Sequence, residues 1–227
     1  MRTTQRRDVT AVGPFGAPAG AIPTLAFAVT GAARLEHAAI PTLRFTLRVD
    51  AGGAQVRSVM LDTQVRIAAT RRAYPHSADD RLFELFGPRA DWGTTLRSLL
   101  WTRTTLVVPA FEGSTVVDLD VPCSYDLEVT ASRYLDALSD GEVPLEFLFS
   151  GSVFYTGGGG ELQTTRLSWE SETEYRLPVR VWKETMERYF RGTAWVRLSK
   201  ESFDRLSAYK SRNALASWDD ALEALGL

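Results

Sequence analysis

The chain has 227 residues, of which 44% are hydrophobic, 11% aromatic and 24% charged, with a formal net charge of −2 and a pI near 5.8. That composition excludes a disordered or low-complexity chain and provides enough apolar mass for a sizeable core. The slightly acidic balance excludes general attraction to nucleic acid or to an anionic membrane, and a single cysteine, Cys123, excludes an internal disulfide and a cysteine-built metal site.

Residues 1–21 carry Arg2, Arg6 and Arg7 and then Gly13, Pro14, Gly16, Pro18 and Gly20. Glycine and proline at that density break regular elements, so this segment is expected to be a flexible arm. It lacks the continuous apolar run of a signal peptide or a membrane span. With the lone cysteine, this points to a reduced, cytoplasmic setting.

From Ile22 to Leu177 the dominant period is two, the signature of half-buried strands. Leu25, Phe27 and Val29 form one run, and Leu43, Phe45, Leu47 and Val49 alternate with Arg44, Thr46 and Arg48 in the next. Val59, Leu61, Val65 and Ile67 follow, joined to the previous run through Asp50-Ala51-Gly52-Gly53, whose turn chemistry predicts a hairpin. Helical patterns are expected over Asp80–Phe86 and Trp92–Trp101. Strands resume with Val117, Leu119 and Val121, then Tyr125, Leu127 and Val129. Leu145 to Tyr155 makes a long strand in which Gly151 marks a bulge or a close approach. The Gly157–Gly160 run reads as a hairpin loop, followed by strands over Gln163–Trp169 and Thr173–Leu177.

Beyond residue 178 the period changes. Val181–Phe190 is expected to be a connecting helix, and Trp195–Leu198 a short strand. Ser199 or Ser202 can cap a helix carrying Phe203, Leu206 and Tyr209 on one face, and Asn213 is a plausible left-handed stop. Ser217 followed by Asp220 is close to a capping box for a last helix bearing Trp218, Ala221, Leu222 and Leu225. Residues 179–227 carry nine Lys or Arg against seven Asp or Glu, and residues 1–178 carry 17 against 21, so a slightly basic tail follows an acidic body. The expected fold is therefore mainly β, a β-rich α+β protein. An antiparallel β-sandwich spans 22–178 with a helical insertion at 79–101, and a helical strand-helix-helix appendage spans 179–227.

No catalytic constellation is legible. His37 and His76 have no cysteine or helically spaced histidine beside them, no G-x-S-x-G elbow is present, and the Gly157–Gly160 run lacks the Lys-Ser/Thr and helix of a phosphate loop. Asp118, Asp120, Asp126 and Glu128 could gather around a calcium ion, but solvated sheet faces explain them more simply, and Cys123 reads as a small apolar residue. No catalytic, cofactor or metal residue is assigned. Two groups stand out instead: Arg71, Arg72 and Tyr74 at a strand end with Trp92 and Trp101, and Trp195 with Arg197 in the tail. Arginine stacked on aromatic rings can simply seal an end of the sandwich. The same residue types also anchor protein interfaces, so these seven are the candidate partner-binding residues.

The motifs Arg71-Arg72-Ala73-Tyr74, Arg81–Gly87, Val121-Pro122-Cys123-Ser124-Tyr125-Asp126, Pro144–Gly151 and Trp218-Asp219-Asp220-Ala221-Leu222 give a wider resemblance. From Ile22 onward the chain resembles an uncharacterised bacterial, mainly actinobacterial, domain-of-unknown-function family with no established catalytic residues. Members of that family occur near nickel-iron hydrogenase genes, which implies an accessory or assembly role. Residues 194–199 and the two helices after them also resemble a ribbon-helix-helix unit, which would place Trp195, Arg197 and Ser199 toward DNA. With a net charge of +2 in the tail and only one of the three cationic, few phosphates would be neutralised. The expectation is a non-enzymatic protein acting on another, unidentified protein, without membrane attachment and with a homodimer among its possible states. A DNA-binding regulator is the alternative.

Overall fold

The computed structural model describes residues 21–193 and 195–227, so the predicted arm, apart from its last residue, lies outside the described residues. The organising element is β2, a 26-residue strand from Thr42 to Ile67. Leu43, Phe45, Leu47 and Val49 in its first half and Val59, Leu61, Val65 and Ile67 in its second are fully buried. The hairpin predicted at Asp50–Gly53 does not form. Gly52 and Gly53 adopt positive φ of 57° and 88°, and the Asp50 carboxylate accepts the Gly52 N–H at 2.9 Å. Paired left-handed glycines make a bulge that bends the strand without reversing it.

Each half of β2 then finds its own neighbours. Residues 42–50 lie between β1 (Ala26–Arg34) and β4 (Phe111–Pro122). Residues 59–67 lie between β5 (Glu142–Thr156) and β3 (Leu99–Val108), while Gln55 and Val56, past the bulge, still pair with β4. Beyond β5 are β6 (Leu162–Arg166) and β7 (Glu172–Pro178), each pairing with a different stretch of it. All pairings are antiparallel and the seven strands form one sheet. The expected sandwich is that sheet folded over at the β2 bulge. Phe45 from one half meets Phe147 and Tyr175 from the other at ring distances of 5.2 and 6.1 Å, and Phe27 stacks on Phe149 at 4.3 Å.

Gly151 carries the close approach expected of it: its φ is +140°, and a Cβ there would lie 2.0 Å from the carbonyl oxygen of Met60 on β2. Two other readings are corrected. The helix predicted over Trp92–Trp101 is a single turn, α2 (Trp92–Thr95), because the backbone is already extended at Leu96 and β3 begins at Leu99. Its Thr102, Thr104, Leu106, Val108 alternation is a strand pattern. Tyr125–Val129 is not a strand either. Ser124 Oγ accepts the Asp126 N–H at 3.0 Å and Asp126 Oδ1 accepts the Glu128 N–H at 2.9 Å. Such side-chain bonds turn the backbone away from a ladder, and here they lead into α3 (Thr130–Ala137), a helix the alternation concealed.

Helices gather against one end of the folded sheet. Helix α1 (Asp79–Phe86) packs on α3, and α4 (Val179–Tyr189) reaches β1, β2, β7 and α3. Buried there are Leu82, Tyr134, Leu135 and Trp182. The tail is α5 (Lys200–Arg212) and α6 (Trp218–Ala224). Ser199 caps α5 by accepting the Ser202 N–H, and Ser217 with Asp220 forms a full capping box on α6. The left-handed residue after α5 is Ala214, φ 52°, not Asn213, whose φ is −97°. The tail strand is reduced to one parallel bridge between Trp195 and Asp126.

Candidate functional site

The seven residues singled out by sequence fall into separate places. The strand end of β2 runs through a 3-10 turn, Ala69–Arg71, that throws Arg71 and Arg72 to opposite roles. Arg71 is half exposed and pairs with Glu146 at 3.1 Å and with Glu174. Arg72 is tucked in, donating to the Glu142 carbonyl at 2.5 Å and the Asp140 carbonyl at 2.6 Å, 5.9 Å above the Tyr74 ring. Tyr74 donates to the Ala69 carbonyl at 2.7 Å and shares a 2.7 Å hydroxyl contact with Tyr134. Burial, and then the neighbouring Tyr134, raise the Tyr74 hydroxyl far above its ordinary range, and burial raises Tyr134 as well.

Trp92 closes this group. Its ring meets Tyr74 edge-on at 5.3 Å, its Nε1–H donates to the Gly87 carbonyl at 3.0 Å, and the Arg89 guanidinium lies over it at 5.1 Å. Tyr74, Trp92 and Tyr134 are buried, so the cluster seals the helical end of the sheet and offers little surface. Trp101 is elsewhere. It is the extra residue at the β3 bulge, between the pairs Val65/Thr102 and Arg66/Leu100, with its ring edge-on to Phe45 at 6.2 Å.

Trp195 and Arg197 lie in a different setting, a groove of about 630 Å³ lined by Ile40, Cys123, Tyr125, Asp126, Phe190 and Val196 among others. Its wall is an aromatic ladder. Tyr125 stacks on Phe190 at 4.8 Å with an interplanar angle of 8°, and Phe190 meets Trp195 edge-on at 5.1 Å. Three elements bring these rings together: the Ser124–Glu128 turn presents Tyr125, the end of α4 presents Phe190, and the Trp195–Asp126 bridge pins the linker beside them. At the rim Arg197 forms an ion pair with Glu128. Partial burial, with Asp136 and Glu187 nearby, raises the Tyr125 hydroxyl.

Phe190, Ile40 and Val196 were missed in the sequence. Phe190 reads as the last apolar residue of a helix, and nothing in the spacing links it to Ile40 or Tyr125. Ile40, Trp195 and Val196 stay 53%, 61% and 77% exposed, which is unusual for side chains of this type lining one groove.

The groove carries no evident reaction chemistry. The Cys123 thiol is pushed up to about 12 by burial, which leaves it protonated and a poor nucleophile at neutral pH. His37 sits at a turn with φ 57°, and His76 is exposed beside Asp79 at 3.5 Å. Asp118 and Asp120 are both engaged by Arg44, at 2.9 and 2.7 Å. Among the described residues no group of three or more His, Cys, Asp or Glu is placed to hold a metal ion, and no helix is long and apolar enough to cross a membrane.

A family model described as "Family of unknown function (DUF6084)" matches residues 22–226, the same span that the sequence motifs marked out. The chain belongs to this family. No curated protein matches it. Among solved structures, β-glucosidase 3B from Thermotoga neapolitana in complex with glucose is similar at 12% identity and a TM-score of 0.24, over 68% of this chain and 17% of that one. A β-glucosidase from Kluyveromyces marxianus is similar at 12% identity and a TM-score of 0.23, over 68% and 15%. The chain thus spans less than a fifth of either enzyme, and similarity at this level carries nothing about glycoside chemistry over to the DUF6084 family.

Proposed function

We propose that this protein is a non-catalytic accessory or assembly factor that binds another protein through the Tyr125–Phe190–Trp195 groove. The observation that carries the reading is the groove itself, where aromatic and aliphatic side chains from distant parts of the chain converge and remain exposed. Aromatic residues in such a patch are the usual anchors of protein interfaces. The occupant that fits is an extended, apolar segment of a partner. Its side chains would lie on the rings, and Ser124, Asp126 and Arg197 at the margin would set its register. A link to nickel-iron hydrogenase assembly belongs to this proposal through the family resemblance alone.

The DNA-binding alternative gains no support from the geometry. Arg197, the one cation of the would-be ribbon, is engaged with Glu128, and residues 196–199 form no strand for a second copy to pair with.

The test is affinity purification of the wild-type chain, a Trp195→Ala variant and a Leu162→Ala control, with partners identified by mass spectrometry. Leu162 is as exposed as Trp195 but lies on β6, outside the groove. A partner retained by wild type and control and lost with Trp195→Ala is expected. A partner that follows all three equally, or none with any, overturns the proposal.

A further inference from the structure

A second surface, independent of the groove, is the free edge of β3. This strand pairs with β2 on one side only, and no backbone hydrogen bond reaches its other side among the described residues. A sheet edge with unpaired amides and carbonyls is a template for another strand unless it is short, charged, proline-bearing or bulged. The other edges have such protection. β6 is five residues long, β7 carries Glu172, Glu174, Arg176 and Pro178, β4 carries Glu112, Asp118 and Asp120, and β1, with Arg34 as its one charge, is bulged at Thr30 and packs beside β7. β3 is ten residues long, LLWTRTTLVV, with Arg103 as its one charge and its only irregularity at Trp101. On its outward face Val107, with its cross-strand partner Met60 on β2, is 63% exposed, and Met60 50%.

Of the charges on this face without a counterion among the described residues, Arg66 lies at the helical end, and Arg103 and Asp62 lie at the middle of the edge. Arg103 and Asp62 make no ion pair among the described residues, and Asp62 is held only by the Thr105 hydroxyl. Both line one shallow groove of about 600 Å³ with Gln64, Thr105 and Ser150.

We propose that β3 is the pairing edge of a homodimer, two copies joined antiparallel about a twofold axis at Thr104, with Arg103 of each reaching the partner subunit's Asp62. Residues opposite one another in an antiparallel pair share a face of the sheet. With Thr104 on the axis, Arg103 faces the partner's Thr105 and Thr102 faces the partner's Leu106. Thr105 is the cross-strand neighbour of Asp62. Arg103 is therefore two strand spacings, roughly 10 Å between Cα atoms, from the partner's Asp62, within the combined reach of the two side chains. Two reciprocal ion pairs result, satisfying both groups at once. Shifting the axis to Arg103 sets arginine opposite arginine, which is unfavourable. Shifting it to Thr105 sets Arg103 against Val107.

The experiment is sedimentation of the full chain from roughly 1 to 100 µM, alongside Arg103→Asp and Asp62→Arg variants. Each reversal places two like charges across the interface, and each is expected to weaken dimerisation by more than about tenfold. Mixing the two variants restores opposite charges at both contacts, so a mixed dimer should form where neither variant dimerises alone. Circular dichroism and thermal melting of each variant verify that it is folded; if either is not, the charge-neutral Arg103→Gln and Asp62→Asn take its place, with weakened dimerisation expected for each. A wild-type chain that stays monomeric overturns the proposal, whether or not β3 takes up a strand from another protein. So does a dimer indifferent to these substitutions.

Discussion

The folded sheet and the C-terminal helix pair are built on different principles, although one chain carries both. In the sheet, Phe45, Phe147, Leu61 and Val153 are buried to 1% exposure or less, and strands distant in sequence hold one another through facing rings. In α5 and α6 the sole buried residue is Ala221, while Phe203 and Trp218 contact each other at 5.5 Å with over 40% of each exposed. The tail is held by its caps, one aromatic pair, the Tyr209 hydroxyl on the Ala224 carbonyl and Lys210 over the Trp218 ring, with almost no buried area, so it should open at lower free energy than the body. Cores supply stability through buried area. Short helix pairs without a core depend on termini.

Truncating the core should give the largest effect. Phe45→Ala removes the ring that touches Phe147, Tyr175 and Trp101, and should lower unfolding free energy by about 3–5 kcal/mol in urea denaturation. A cost under about 1 kcal/mol would show that the two halves of the sheet do not rely on this contact.

Next in size is a gain. Thr63 lies at 2% exposure between Leu61 and Val65 with its hydroxyl unpartnered. Thr63→Val keeps the shape and removes a buried polar group, and should stabilise the body by about 1–2 kcal/mol without altering the tail.

The tail is sharpened by its cap. Ser217→Ala removes the acceptor of the Asp220 N–H at 2.9 Å and should cost α6 about 1 kcal/mol. That loss should be visible as faster hydrogen exchange in α6 with the main unfolding transition unmoved. A matching drop in the main transition would mean that tail and body unfold as one.

The smallest effect is pH dependence. The backbone N–H of Ser217, followed by its hydroxyl, holds the Asp220 carboxyl below its usual value. A carboxyl lowered on folding adds stability above its unfolded pKa, about 4, and loses it as pH falls through the folded value. Signals of α6 in an NMR titration should therefore shift toward the unfolded state only below that range, and Asp220→Asn should flatten the response.

Much of the fold was legible because alternation and capping are local codes. The runs 43–49, 59–67 and 145–155 read as strands because their apolar residues recur every second position, and Ser199 and Ser217 read as caps because the side chain meets its own backbone. The errors arose where local codes conflict. Tyr125, Leu127 and Val129 alternate like a strand, but Ser124 and Asp126 bond the backbone into a turn. Asp50-Ala51-Gly52-Gly53 has hairpin residues, yet with strands waiting on both sides of each half it makes a bend. Of the candidate residues, Arg72, Tyr74 and Trp92 do meet, as a seal, whereas Trp101 and the Trp195–Arg197 pair lie apart.

Sequence alone determined a β-rich body, a capped helical tail and the absence of a recognisable catalytic motif, since each depends on residues near one another in the chain. Tertiary structure decided that β2 folds the sheet over itself and that Ile40, Tyr125, Phe190 and Trp195 form one groove. Those outcomes depend on which surfaces meet once distant segments pack, and no local period encodes that.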